Sequence, residues 1–182
     1  MNINKYGLVN VLKVNYELSK EDDNFKVGLD KLLKELLWYI GERLDNDGEF
    51  KKGINRHVRQ KYWSKEAIEL FNSRDKDRVK GLIFEHVVPL NIIKQHIIEM
   101  FEKDAAVNDV VEFLDNHLLV CVVTQEEDKM LSKCGYKTKL GIELNKGNVW
   151  NRYKGSFIRV CNVEVEKMGR KDFIKAKNYV VL

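Results

Sequence analysis

The stretch from Leu118 to Glu127 reads LLVCVVTQEE and contains the clearest strand of the chain. A continuous apolar run of this length is typical of a buried strand. Thr124 then opens the S/T-x-x-E pattern that Glu127 completes, which predicts a capping box and a helix beginning at Gln125. A strand that leads directly into a capped helix indicates an α+β fold.

Upstream of this stretch the pattern is mainly helical. Leucines recur at helical spacing from Val27 to Leu44, with charged residues on the opposite side, and predict an amphipathic helix. Ser64 is a good N-cap for a shorter helix that ends near Phe71. The opening residues Met1 to Tyr16 predict a mobile or strand-forming segment in which Leu8, Val9, Val11, Leu12 and Val14 are apolar.

The remaining segments complete a single domain. A strand is predicted over Lys80 to Pro89, a helix from Asn91 to about Phe101 with a second piece through Phe113, and β-prone runs over Phe157 to Val165 and Tyr179 to Leu182. One proline and no Gly/Ser tract leave no linker. We therefore predict one domain over 1–182, with a mainly helical part (1–79), a core (80–135) and a β-prone extension (136–182).

Composition excludes several classes of protein. The 182 residues are 44% hydrophobic and 33% charged, which is ordinary for a folded globular protein. No stretch reaches the ~20 apolar residues of a membrane span, and the N-terminus lacks the plan of a signal peptide, so we expect a cytoplasmic protein without a membrane partner. Three cysteines without a C-x-x-C pair exclude a zinc ribbon.

The segment Glu85-His86-Val87-Val88-Pro89 carries the residues best suited to chemistry. Proline cannot donate to a strand ladder, so the strand is expected to end here and to deliver Glu85 and His86 to a sheet edge or loop mouth. A histidine in such a place can act as a general base near neutral pH. A carboxylate beside it is the oxygen ligand that Mg²⁺ prefers.

This segment is similar to the Asp/Glu-His-Ile/Val-x-Pro opening of the HNH (ββα-metal, His-Me finger) endonucleases. In that family two strands are followed by a helix. The acid and a residue of the helix hold one divalent metal ion, the histidine activates water, and a middle asparagine steadies the loop that carries the histidine. The resemblance implies a ββα-metal-like unit over about Lys80 to Lys133, embedded in the α+β domain as its catalytic core.

The resemblance can be carried over to two further residues. Asn116, before the strand Leu118 to Val123, corresponds to the middle asparagine. Asp128, one turn into the capped helix, stands where the family commonly has His or Asn, and it would hold Mg²⁺ or Mn²⁺ together with Glu85. His86 would then deprotonate the attacking water. The long helical insertion between Pro89 and Asn116 departs from compact members of the family.

A basic stretch predicts contact with phosphates. It holds cations and no acid, with two aromatic residues interleaved, which suits DNA and does not exclude RNA; a solvated helix face explains it equally well. A second basic group near the C-terminus would close the other side of a groove, although the pattern of Trp150, Tyr153, Phe157 and Ile158 around it favours packing in the core. The first group is Lys51, Lys52, Arg56, Arg59, Lys61 and Lys65, and the second is Lys146, Arg152, Lys154 and Arg159.

The resemblance, together with the basic stretch, implies a divalent-metal-dependent DNA endonuclease of the restriction or mobile-element type, and double-strand cleavage by a one-metal site would favour a homodimer. A second nuclease interpretation uses Glu127-Asp128-Lys129 as a (D/E)-x-K triplet with Asp109 or Asp115. A third interpretation is a non-catalytic nucleic-acid-binding or protein-interaction module. In that case His86 is a partly buried histidine bonded to a carbonyl, Asn116 a turn residue, and Asp128 an acid favoured by the helix dipole.

Overall fold

The computed structural model describes residues 4–43, 57–73, 79–144, 149–168 and 171–181. In chain order the elements are α1 (Lys5–Ser19), α2 (Asp23–Arg43), β1 (Tyr62–Ser64), α3 (Lys65–Asn72), β2 (Leu82–His86), α4 (Leu90–Glu102), α5 (Val107–His117), β3 (Val120–Thr124), α6 (Gln125–Lys133), α7 (Asn151–Gly155), β4 (Val160–Met168) and β5 (Lys171–Val181). Helices and a mixed sheet in one chain confirm the α+β class.

These elements group into two compact units. A helical unit comprises Met1–Lys52 and Leu90–Leu119, and a sheet unit comprises Gly53–Pro89 and Val120–Leu182. The chain leaves the sheet unit after β2, forms α4 and α5 in the helical unit, and returns to the sheet unit at β3. These two helices are the predicted helical insertion. The predicted boundaries at residues 79 and 135 do not coincide with the boundaries of these two units. The predicted organisation as one domain with three parts stays a prediction.

The helical unit contains α1, α2, α4 and α5. Each buries an apolar stripe, and the rings of Tyr16 and Phe101 lie 5.4 Å apart between α1 and α4. Lys13 of α1 also pairs with Asp104 at 3.0 Å. Of the helices in the described ranges, none has the length and apolar character required to cross a membrane.

The prediction for Met1 to Tyr16 is wrong, because most of this segment forms α1. The side chain of Asn4 accepts a hydrogen bond from the Gly7 amide at 2.7 Å and so caps the helix. Val9, Leu12 and Tyr16 are buried at the three- and four-residue spacing of a helix face. The predicted helix from Val27 is confirmed as α2, although it begins earlier, at Asp23.

The sheet unit is built on one five-stranded sheet in the order β2-β3-β1-β4-β5. β1 runs parallel to β3, and the other neighbouring strands are antiparallel. Trp63, Phe71 and Ile174 form part of its apolar core. The predicted cap of α3 is confirmed, since the hydroxyl of Ser64 accepts a hydrogen bond from the Ala67 amide at 3.1 Å.

The β-prone tail extends further than its apolar runs indicated. β4 and β5 form a long antiparallel hairpin that includes much of the charged stretch from Lys167 to Lys177. Exposed charges pair across the strands, and the Lys175 ammonium lies 2.9 Å from a Glu166 carboxylate oxygen. Opposite charges facing each other across strands stabilise this pairing.

Candidate functional site

The strands β2 and β3 form an antiparallel pair that is followed directly by α6. The register places Glu85 opposite Cys121 and His86 opposite Val120. The capping box is confirmed: the Thr124 hydroxyl accepts from the Glu127 amide at 3.2 Å, and the Glu127 carboxylate accepts from the Thr124 amide at 2.8 Å. The predicted order of strand, strand and capped helix is therefore present.

His86 is the last residue of β2 and lies almost wholly inside the protein. It is 8% exposed, and its Nε2 atom is buried without a hydrogen-bond partner. Burial lowers the pKa of His86 from 6.5 to about 4, because desolvation disfavours the imidazolium. The ring is neutral at physiological pH, and the free nitrogen is essentially shielded from solvent in this conformation.

Glu85 is paired with an arginine that lies far away in the sequence. Nη2 of Arg152, on α7, donates to the Glu85 carboxylate and also to the His86 carbonyl at 2.7 Å. Nη1 of the same guanidinium donates to the Tyr136 carbonyl at 2.7 Å. Arg152 is fully buried. The ion pair neutralises the carboxylate and fixes α7 to the end of β2.

Arg152 is the residue of this site that the sequence patterns did not reveal. The prediction that the pattern Trp150, Tyr153, Phe157 and Ile158 packs in the core is confirmed for Trp150, Tyr153 and Ile158, which are buried, and is wrong for Phe157, which is 90% exposed. The position of an arginine between two large aromatic residues was the available signal. A cation there is more easily explained by a buried carboxylate than by a phosphate.

Asn116 does not lie at the start of a strand. It belongs to the last turn of α5, in the helical unit, and its amide donates to the Glu112 carbonyl at 3.0 Å. Asn116 thus precedes β3 within a helix rather than immediately before the strand, and the alternative of a turn residue is wrong. The helix continues to His117 because Val110 and Leu114 extend its buried face. A catalytic role for Asn116 stays a prediction.

Asp128 is half-buried in the first turns of α6. The ladder pairs Leu82 with Thr124, so α6 begins beside the start of β2, whereas Glu85 lies about 10 Å further along that strand. Within the described part of the chain, no three His, Cys, Asp or Glu side chains are grouped to hold a metal ion. The Mg²⁺ or Mn²⁺ site on Glu85 and Asp128 therefore stays a prediction.

The triplet Glu127-Asp128-Lys129 is part of a helix. Glu127 is buried, and its carboxylate accepts a hydrogen bond from the Ser64 hydroxyl at 2.6 Å in addition to its bonds to Thr124. Desolvation raises the pKa of Glu127. The prediction that Glu127 serves as the capping acid is thus confirmed.

The basic stretch is only partly described. Lys51, Lys52 and Arg56 lie outside the described residues, as does Lys146 of the second group. Arg59 and Lys61 are exposed and lie just before β1, which begins at Tyr62. Lys65 begins α3, and its ammonium lies 3.3 Å from the Glu69 carboxylate.

The pairing of β1 with β4 brings the two basic groups together. Ser64 lies opposite Val160, and the Lys65 amide donates to the Arg159 carbonyl at 3.0 Å. Lys154 and Arg159 are exposed, unlike Arg152. Lys65 and Arg159 therefore adjoin at one end of this ladder, whereas Lys61 lies at its other end, where its carbonyl accepts from the Val163 amide at 3.1 Å.

No protein-family model matches the chain, and no curated protein or solved structure matches it. The HNH resemblance accordingly rests on the segment from Glu85 to Pro89 and on the order β2, β3 and α6. It stays a hypothesis about this chain.

Proposed function

We propose that the sheet unit binds nucleic acid through a basic surface and that the chain is a nucleic-acid-binding module. The observation that supports this most is the β1–β4 pairing, which brings two basic segments together through the Lys65 amide and the Arg159 carbonyl. The proposed surface, named the basic surface, comprises the exposed or half-buried cations along the β1–β4 pair and beside it: Lys65, Lys154 and Arg159 towards one end, and Arg59 and Lys61 before β1 at the other.

The acids near the basic surface leave its cations available to phosphates. Arg159 and Glu66 are 3.8 Å apart, and both side chains are about half exposed. Lys65 and Glu69 form an exposed pair one helical turn apart. Such solvated pairs contribute little, typically below about 1 kcal/mol, and yield readily to a polyanion. Neutralised phosphates release counterions, so binding is expected to weaken steeply with salt.

Removing three cations of the basic surface tests the proposal. The variant Arg59→Gln/Lys61→Gln/Lys65→Gln is expected to bind labelled DNA and RNA more weakly, with a salt slope reduced by roughly 0.7–0.9 for each phosphate that is no longer neutralised. Fluorescence anisotropy at several salt concentrations measures both quantities. We expect affinity to fall by the same factor for different base sequences, since phosphate contacts carry no sequence information.

A matched control removes the same charge elsewhere. Lys26, Lys31 and Lys34 are exposed on α2 in the helical unit, and their triple replacement by Gln should leave affinity and slope nearly unchanged. Equally weakened binding in both triple variants would show that net charge alone matters. No binding by the wild type even at low salt would end the proposal.

The second candidate function is the divalent-metal-dependent DNA endonuclease. It is favoured by the order β2, β3 and α6 and by the neutral, unpartnered Nε2 of His86 at the end of β2. A neutral imidazole can accept a proton from water as a general base. For this, Nε2 has to become exposed, and Glu85 has to leave Arg152 before its carboxylate can bind anything else.

Cleavage assays decide on this candidate. Supercoiled plasmid and single-stranded DNA are incubated with the protein and Mg²⁺, Mn²⁺ or EDTA. His86→Gln is expected to lower the cleavage rate by about 10²–10⁴-fold while DNA binding is retained. The control His117→Gln changes a half-buried histidine of α5 and should cleave normally. If the wild type cleaves neither substrate under any of these conditions, the endonuclease candidate fails and the binding proposal stands.

A further inference from the structure

An open groove of about 680 Å³ lies where the end of α7 meets the end of β5. Its lining combines two cations of the basic surface with two aromatic rings. Phe157 is 90% exposed and Tyr179 is 45% exposed, so both side chains are accessible from solvent. The lining residues are Lys154, Phe157, Arg159, Tyr179 and Val180.

Phe157 occupies a backbone position that favours glycine. Its φ is +56°, and α7 ends in a Schellman motif in which Ile158 N donates to the Tyr153 carbonyl at 3.0 Å and Phe157 N donates to the Lys154 carbonyl at 3.1 Å. Glycine is the usual residue there, because a Cβ is unfavourable in the left-handed region.

The ring of Phe157 therefore gains almost nothing from folding. A phenylalanine in this position accepts backbone strain and buries only a tenth of its surface. Residues held in strained backbone positions cluster at active sites and ligand clamps. The neighbouring cations, Lys154 and Arg159, indicate that the partner is an anion with flat apolar parts.

We infer that this groove binds unpaired nucleotides of a single-stranded nucleic acid. Bases stack on Phe157 and Tyr179, and the phosphates between them lie against Lys154 and Arg159. In a duplex each base is already stacked on its neighbours, and its faces are not available to protein side chains. Stacking on Phe157 and Tyr179 therefore favours single-stranded nucleic acid over a duplex. The inference rests on the proposed nucleic-acid binding and names the form of nucleic acid that it takes.

Two variants of the full-length chain test the inference. With a short fluorescein-labelled oligothymidylate, Phe157→Gly and Tyr179→Ala are each expected to raise the Kd by about 5- to 150-fold, the factor that corresponds to the stacking of one base. Phe157→Gly should also unfold at an unchanged or slightly higher temperature, because glycine fits the positive φ. Weaker binding by a variant that is equally stable cannot be attributed to misfolding.

Matched controls separate stacking from other effects. Tyr179→Phe keeps the ring and should bind like the wild type, and Phe25→Ala removes a half-exposed phenylalanine from α2 without effect. The inference is overturned if both groove variants bind normally, if a duplex of the same length binds more tightly, or if polyglutamate competes as well as the oligothymidylate. If the wild type binds neither single strand nor duplex, the proposed function fails as well.

Discussion

Arg152→Met is expected to destabilise the sheet unit by about 3–5 kcal/mol, the usual cost of removing one partner of a buried ion pair. Arg152 is fully buried, and the side chain of Glu85 is only 17% exposed, so the carboxylate would lose its cation without gaining full hydration. The carbonyls of His86 and Tyr136 would each lose a donor as well. Denaturant unfolding followed by the fluorescence of the buried Trp63 and Trp150 measures the change in stability.

Three further variants identify the cause of this destabilisation. Glu85→Gln in the Arg152→Met background should restore part of the stability, because the orphaned charge is gone. Arg152→Lys should be intermediate, since an ammonium keeps the charge but cannot reproduce the planar set of donors. Arg159→Met removes an exposed arginine of the same unit and should cost less than about 1 kcal/mol. If Arg152→Met and Arg159→Met cost the same, the ion pair is not what holds the end of β2.

Local sequence patterns are sufficient to predict β3 and α6. The apolar run before Thr124 and the capping box with Glu127 define β3 and α6, and both depend only on neighbouring residues. The helix α1 is not predicted from the sequence, because its β-branched residues resemble those of a strand. Burial of Val9 and Leu12 selects the helix while Val11 and Val14 stay exposed, and that selection depends on packing against other helices.

The candidate site shows the same division between local and long-range causes. Glu85 and His86 lie at the end of a strand, as the following proline indicated. The partner of Glu85 is 67 residues away, and no local pattern connects the two. The meeting of Lys65 with Arg159 likewise depends on the pairing of β1 with β4. Strand order is set by the whole core, so sequence patterns could suggest both basic groups without showing that they adjoin.

His86 is expected to make the sheet unit less stable as the pH falls from about 6.5 to about 4. The folded protein holds the ring neutral by burying it, whereas the unfolded chain takes up a proton below its ordinary pKa. Between these two pH values the unfolded state binds more protons, so acid favours unfolding. The stability that disappears over this window is about 3 kcal/mol, since each pKa unit corresponds to about 1.4 kcal/mol.

Denaturant unfolding of the wild type and His86→Gln across pH 4–7 isolates this contribution. Glu127 acts in the opposite sense, because a raised carboxyl pKa favours the folded state at low pH, but it affects both proteins equally. The difference in unfolding free energy between the two proteins should therefore change between pH 6.5 and 4, by the amount that the titration of His86 contributes. Parallel profiles would mean that His86 takes up its proton in the folded protein near its ordinary pKa. Water then reaches the ring, and the main obstacle to a general-base role for His86 is removed.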